Sequence, residues 1–386
     1  MKTLRILTML GLAAATAATT ALHAADPIDG RVLEVDQRGY APFKTIRQAC
    51  MEAKAGDIIK LAPGSGPYRE EIFIKASGDE GRPIIFDGSN ETVTGFDVMT
   101  DFRSEGNTWV LDLGPLIDAQ PMVMGFKKVE GKYVFNGFPT EIAALPGILT
   151  YKGKRVLQDV ATGQLREFAT LSKDARTLTL LPGVETEGWE FSRRPFVLRF
   201  SDASHHVYRN VKCTGSLNDG INGHGKGEDL VFENVEAFYN MDEGYSIHDK
   251  IVSEIRGGKF WGNDNGIANA PGSVLKATDL RIWGNLGYGF SIHDCSADLT
   301  NVAIWGNGIR QLLIFDKSTF KADNVHIYKM DWTTRPWFNY QESARAKVAY
   351  AYEYSRDSSI DGQVTTNQTE APDDAQPVKL EDPLKP

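Results

Sequence analysis

The chain is poor in cysteine. Its three, Cys50, Cys213 and Cys295, stand far apart and are odd in number. No disulfide framework is expected from them. Their spacing to histidine fits no zinc site. Positive charge is also short: 42 Lys and Arg face 51 Asp and Glu, for a net charge of −9. With no basic run anywhere, nucleic acid is excluded as a partner. Long apolar runs are absent after residue 25, so no later segment is expected to span a bilayer. Residues 1–25 read as a secretory signal: Lys2 and Arg5, an apolar stretch from Leu7 to Ala18, then small residues ending at Ala24 or Ala25. Its removal leaves a still more acidic chain, exported to the periplasm or the medium and expected to be a monomer.

What the sequence does have is a repeat. DGINGH (219–224), EGYSIHD (243–249), NGIANAP (265–271) and YGFSIHD (288–294) recur at 22–24 residues, and RQLLIFD (310–316) keeps the register. That period is too short for a helical hairpin repeat and fits one coil of a parallel β-solenoid. Equivalent residues then stack ~4.8 Å apart in straight columns.

The organisation follows from where the period holds. Residues 26–99 read as an N-terminal cap and first coils. In FKTIRQACMEAKAGD, Phe43, Ile46, Ala49 and Ala53 have helical spacing and Gly56 ends the run. Strands are predicted at 58–64, 69–76 and 83–89. Residues 100–195 break the period and read as an inserted β-rich segment, with strands at 108–113, 133–137, 148–153 and 177–183. Its Trp109, Tyr151 and Trp189 either line a cleft or fill the insert's own core. Regular coils occupy 196–330, a C-terminal cap 331–360, and a disordered tail 361–386. Two asparagine columns recur with the coils, one through Asn210, Asn234, Asn301 and Asn324, the other through Asn240, Asn263, Asn285 and Asn307. Stacked Asn at solenoid turns satisfies backbone that cannot join a ladder. Trp261, Trp283 and Trp305 form a third column, read as structural.

Within FSIHD, Phe290 and Ile292 point one way and Ser291 and His293 the other. The apolar pair must face the core. The outward columns are then Asn222, Ser246, Ala268, Ser291, Leu313 and His224, His248, Ala270, His293, Phe315. Asp249, Asp294 and Asp316 follow the histidine column, with Lys226 and Lys250 on adjacent rungs. Asp219, Glu243, Tyr288 and Arg310 share an offset at the start of the strands. Imidazole, phenol, guanidinium and carboxylate on one open sheet make an acid–base constellation.

YGFSIHD resembles the Y-G-F-D-P-H-D/E motif of mannuronan C5-epimerases. More broadly, residues 40–330 resemble right-handed parallel β-helix polysaccharide lyases, epimerases and hydrolases, the pectin-lyase-like fold. The resemblance implies an all-β, right-handed parallel β-helix with an N-terminal helix cap. It places catalytic roles on Tyr288, His293 and Asp316. The motif's Asp is Ser291 here and its Pro is Ile292, so one carboxylate of the epimerase site is missing. Lyase chemistry on an acidic, uronate-containing polysaccharide is therefore favoured over epimerisation. Both begin with removal of the C5 proton, which suits His293 or Tyr288, with His248 beside them on the face. Both need the sugar carboxylate neutralised, which suits Arg310, Lys250 or a bound Ca²⁺, although no Asp-x-Asp calcium loop is present. His224, Lys226, Lys250, Asp249, Asp294, Ser291, Ser246 and Glu243 would line the substrate path. Two other readings stay open. Glycoside hydrolysis needs two carboxylates ~5–10 Å apart, and Asp219, Glu243, Asp249, Asp294 and Asp316 offer pairs. The other is a non-catalytic glycan-binding solenoid, since fold alone does not fix function.

Overall fold

A computed structural model describes residues 30–120, 126–130, 132–135, 141–159, 162–328 and 352–368. The expected signal (1–25), most of the expected C-terminal cap and the end of the tail lie outside the described residues. Two parallel sheets run the length of the molecule. One has seven strands: Leu198–Ser201, Ile221–His224, Glu243–Ile247, Asn265–Asn269, Tyr288–His293, Arg310–Phe315 and Tyr352–Tyr354. The other has twelve and includes the long strands Lys226–Phe238, Lys250–Trp261, Val274–Trp283, Ser296–Trp305 and Thr319–Tyr328. Each coil contributes to both, which makes the parallel β-helix that the repeat predicts.

The coil is held by three kinds of column. Apolar side chains from both sheets meet inside, where Tyr245, Ile267, Phe290 and Leu312 are all fully buried. Each such side chain is worth about 1.5–3 kcal/mol of burial. The long strands bend where one residue per coil takes a left-handed conformation: Asn210, Asn234, Asp279, Asn301 and Asn324 have φ between 50° and 59°. Asn and Asp tolerate that region, and Gly257 fills the remaining rung. These asparagines also bond upward, Asn234 Nδ2 to Asn210 Oδ1 at 3.0 Å and Asn324 Nδ2 to Asn301 Oδ1 at 2.7 Å.

The second asparagine column is fully buried at the turn that leads into the seven-stranded sheet. Nδ2 of Asn240, Asn263 and Asn285 donates to Oδ1 of the next asparagine at 2.9, 3.1 and 2.8 Å. Asn307 passes the chain to Gln311 Oε1 at 2.8 Å. Each acceptor also takes the backbone N–H of the residue below. The ladder leaves no room beneath the residues that follow the turn: a Cβ on Gly220 would lie 2.4 Å from Asn240 Nδ2, and one on Gly289 2.5 Å from Asn307 Nδ2. That is why glycine follows Asp219, Glu243, Asn265 and Tyr288, while Gln311, which ends the ladder, follows Arg310.

A helix, Ile46–Glu52, lies at the N-terminal end. Thr45 Oγ1 caps it by accepting from Gln48 N at 3.2 Å, and Ile46, Ala49 and Cys50 join the core. Between Phe96 and Ser192 the chain leaves the coil and folds into antiparallel sheets. Trp189 and Tyr151 sit in this segment's own apolar core, and Trp109 is exposed. Of the two readings of those aromatics, core filling holds for Tyr151 and Trp189. The three cysteines are buried and unpaired with one another.

Two expectations need correction. Residues 69–76 form no strand; Ile72 makes one isolated bridge to Leu198, while Ile72 and Ile74 fill the core. Arg69, Glu70 and Glu71 are instead turned to ion pairs and helix contacts. The tail predicted to be disordered from 361 begins as ladder: Ser359–Gln368 pairs with Thr319–Tyr328, and Ile360 and Val364 pack on the core. Val364, in the described part of that tail, falls at an inward position, which composition averaged over the tail conceals.

Candidate active site

The outward face of the seven-stranded sheet carries three columns. The register pairs Asn222 with Ser246, Ser246 with Ala268, Ala268 with Ser291 and Ser291 with Leu313. This middle column is mostly small and forms a floor. Acids stand at one edge of the floor and histidines at the other.

At the acid edge, one oxygen from each of Asp219, Asp242 and Glu243 lies within 4.8 Å of the others. Asp219 is only 2% exposed, and Asp242 and Glu243 are half-buried above it. Asp219 accepts from Glu243 N at 3.1 Å and from Asn222 Nδ2 at 2.5 Å. Asn265 Nδ2 donates to Glu243 Oε1 at 2.9 Å. Asn265 Oδ1 in turn accepts from Tyr288 N at 2.8 Å, so four rungs are tied together. Buried Asn218, beside Asp219, leaves its Oδ1 without a partner. Burial, then the neighbouring Asp242 charge, pushes the Asp219 carboxyl up to about 7. Burial, then Asp219, raises Glu243 well above the carboxylate range, and burial with Glu243 does the same for Asp242. The cluster therefore holds protons at neutral pH. The two hydrogen bonds into Asp219 favour its ionised form, so Asp219 is the first to lose one.

At the other edge, the His224 and His248 rings stack at 4.2 Å and 13°. His248 Nε2 meets Ser246 Oγ at 3.0 Å, and His224 Nδ1 lies 3.6 Å from Asp249. Burial, then the His224 charge, lowers His248 to about 4, so its ring is neutral at pH 7. Ala270 interrupts the column, and His293 Nε2 then bonds Asp316 Oδ2 at 2.8 Å. Asp249, Asp294 and Asp316 are turn residues with φ of 57°, 49° and 50°. Asp249 also accepts from Gly225 N at 2.8 Å. Lys226 and Lys250 are exposed and in register. Tyr288 and Arg310 are in register too, but Arg310 Nε already bonds Glu353 at 3.0 Å.

The structure thus divides the sequence-predicted residues between two edges. Glu243, Tyr288 and Arg310 lie on the acid side, and His224, His248, His293 and Asp316 on the other, with Ser246 and Ser291 between. Sequence reasoning placed Asp219 and Glu243 at one offset but missed Asp242. The available signal was the paired polar step before each glycine: Asn218-Asp219, Asp242-Glu243, Asp264-Asn265. The inserted segment walls this edge, because Met241, next to Asp242, packs with Ile148, Phe96 and Tyr239.

Three carboxylates supply hard oxygen donors of the kind Ca²⁺ takes, so their chemistry fits a calcium ion. No helix among the described residues is long and apolar enough to cross a membrane.

The sequence matches no family model and no curated protein. Among solved structures, the chain is similar to XylC in complex with xylose, at 12% identity and a TM-score of 0.56, over 87% of this chain and 70% of that one. Pectate lyase Pel9A aligns at 14% identity and a TM-score of 0.43, over 90% and 82%. An alginate lyase from Paenibacillus sp. str. FPU-7 aligns at 12% and 0.39, over 88% and 97%. The likeness to XylC is one of fold.

Proposed function

We propose that the protein is a glycoside hydrolase that uses Asp219 and Glu243 as its carboxyl pair. The observation that carries this reading is their proximity in a buried cluster that retains protons at neutral pH. Hydrolysis needs one ionised and one protonated carboxyl, and environments that push two carboxyls apart assign the roles. Asp219, stabilised by Asn222 and the Glu243 N–H, is the nucleophile. Glu243 is the acid. Asp219 attacks the anomeric carbon, the glycosidic C–O bond breaks, and Glu243 gives its proton to the leaving oxygen. Glu243 then takes a proton from water, whose oxygen displaces Asp219 from the sugar. The separation, within 4.8 Å between one oxygen of each, is nearer the ~5–5.5 Å of a retaining pair than the ~6.5–9.5 Å that an inverting pair needs to admit water.

The floor of Asn222, Ser246 and Ser291 would carry the sugar, and the histidine edge the adjoining units. A neutral glycan suits the acid edge better than a uronate, since Arg310 is already engaged by Glu353. XylC was solved with xylose, which makes xylosides the first substrates to try. Export, as the N-terminal segment suggests, would bring the enzyme to such polymers.

Lyase action on a uronate polymer is the second reading, favoured by the calcium-type donor set. Asp219, Asp242 and Glu243 would hold the ion, and Ca²⁺ there would neutralise the uronate carboxylate. His293, paired with Asp316, would take the C5 proton. The deciding test is a panel of xylo-, gluco- and uronate oligosaccharides followed by proton NMR and by absorbance near 232–235 nm. New reducing ends of retained configuration with no absorbance rise support hydrolysis. A rise on a uronate polymer overturns it in favour of β-elimination.

A further inference from the structure

On the twelve-stranded sheet an outward column runs Thr94, Thr214, Phe238, Trp261, Trp283, Trp305 in unbroken register. The four rings are parallel, with centroids 4.3, 4.9 and 5.2 Å apart and planes within 8°. The stack ends at Phe238, where the column changes from ring to threonine. The inserted segment continues across the threonine end and contributes Thr150 and Glu190. Between them lies a cavity of about 390 Å³, within the range of small-molecule sites. It is the room that a ring at Thr94 or Thr214 would have filled.

Its lining is of two kinds. Phe238 supplies an apolar ring. Thr94, Thr150, Thr214, Glu91 and Glu190 supply hydroxyls and carboxylates. Glu91 is fixed by Gly66 N at 2.9 Å, and Glu190 by Arg69 at 2.7 Å, so both are held in place with acceptor capacity to spare. Thr214 is 5% exposed and its hydroxyl has no partner in the protein. A buried hydroxyl without a partner costs about 1–3 kcal/mol.

We propose that this cavity binds one neutral pyranose unit, stacked on Phe238 as the next ring of the column. A pyranose has the required shape: an apolar C–H face for the aromatic ring and an edge of hydroxyls for threonine and carboxylate. Two carboxylates in the wall disfavour an anionic sugar. The site is distinct from the acid cluster. Tyr239, in its lining, and Asp242 are three residues apart along one coil, with buried Asn240 between them. The inference does not depend on the hydrolase assignment.

The test is hydrogen exchange of the whole protein with methyl β-xyloside or methyl β-glucoside, followed by mass spectrometry. Protection is expected in residues 92–96, 149–152 and 238–239, separately from any at the acid cluster in 219–224 and 242–248. Thr214→Phe extends the protein's own ring column into the cavity and should abolish the first protection while leaving the second. Phe238→Leu should weaken it about tenfold. Melting curves show whether each variant is folded; if Thr214→Phe is not, Phe238→Leu decides. Protection only at 219–224 and 242–248, none at all, or protection unmoved by a folded variant overturns the proposal.

Discussion

The backbone N–H of Glu243 donates to Asp219 Oδ1 at 3.1 Å, so the acid on one coil is fixed by the main chain of the next. Beneath both, Gly220 and Gly244 lie against the buried asparagine ladder, where a Cβ would come within 2.7 Å of an amide nitrogen. The site is therefore built directly on the hydrogen-bonded ladder. Burial first, and then the neighbouring acids, keep its carboxyls protonated.

Removing the two carboxyls should have different kinetic consequences. Asp219→Asn should lower kcat by about 10³-fold or more on every glycoside, because no other group replaces the nucleophile. Azide should restore turnover and give a glycosyl azide of inverted configuration. Glu243→Gln should lose comparable activity on natural glycosides but little of the first step on aryl glycosides with good leaving groups, which need no proton. Stopped-flow measurement of phenol release checks this. Equal losses on both substrate types in both variants would remove the role assignment.

The same protons make stability depend on pH. In the unfolded chain Asp219 titrates near 3.9; in the fold it is pushed up to about 7. Between those values the folded state binds more protons than the unfolded one, so stability falls as pH rises. Relative to Asp219→Asn, the wild type should lose about 2–4 kcal/mol between pH 4 and pH 8. Urea melts of both proteins across that range measure it. A difference independent of pH would mean that the cluster is ionised in the fold.

Interrupting the ladder should be costly because every member serves two neighbours. Asn263 accepts from Asn240 N and Nδ2 and donates to Asn285. Asn263→Ala leaves these buried groups without partners and should cost about 2–4 kcal/mol. Gly266→Ala should be at least as damaging, since the new Cβ would lie 2.4 Å from the Gly289 carbonyl oxygen. The check is the midpoint of urea denaturation. Loss of less than about 1 kcal/mol in both would show that the ladder is ornamental.

The coil was legible because its columns leave a period in the sequence. Inward Tyr245, Ile267 and Phe290, the two asparagine ladders and the tryptophan stack all recur at one spacing, and one repeat aligned them. The histidine edge was legible for the same reason. The acid cluster was half-legible: Asp219 and Glu243 share an offset, but Asp242 stands one place earlier, at the turn, where side-chain direction does not follow strand alternation. The burial that perturbs these carboxyls comes from the insert and from neighbouring coils, and no local pattern reports it. Arg310 read as a free cation because its partner, Glu353, lies 43 residues away and beyond the regular repeats.

Hydrolysis and β-elimination can be separated on the histidine edge itself. If Asp219 and Glu243 do the chemistry, His293→Ala and Tyr288→Phe change how a glycan sits on the face, so KM should rise several-fold with kcat within about fivefold of wild type. If the reaction is C5 proton abstraction, the same variants lose the base and kcat collapses. Metal removal divides the readings again. A carboxyl pair that works through its own proton should keep its rate in EDTA, and Ca²⁺, by displacing that proton, should inhibit it. A uronate lyase holding Ca²⁺ on Asp219, Asp242 and Glu243 should lose its rate in EDTA and regain it with calcium. Steady-state kinetics of the two variants, with and without EDTA, therefore place the reaction on one edge of the sheet or the other.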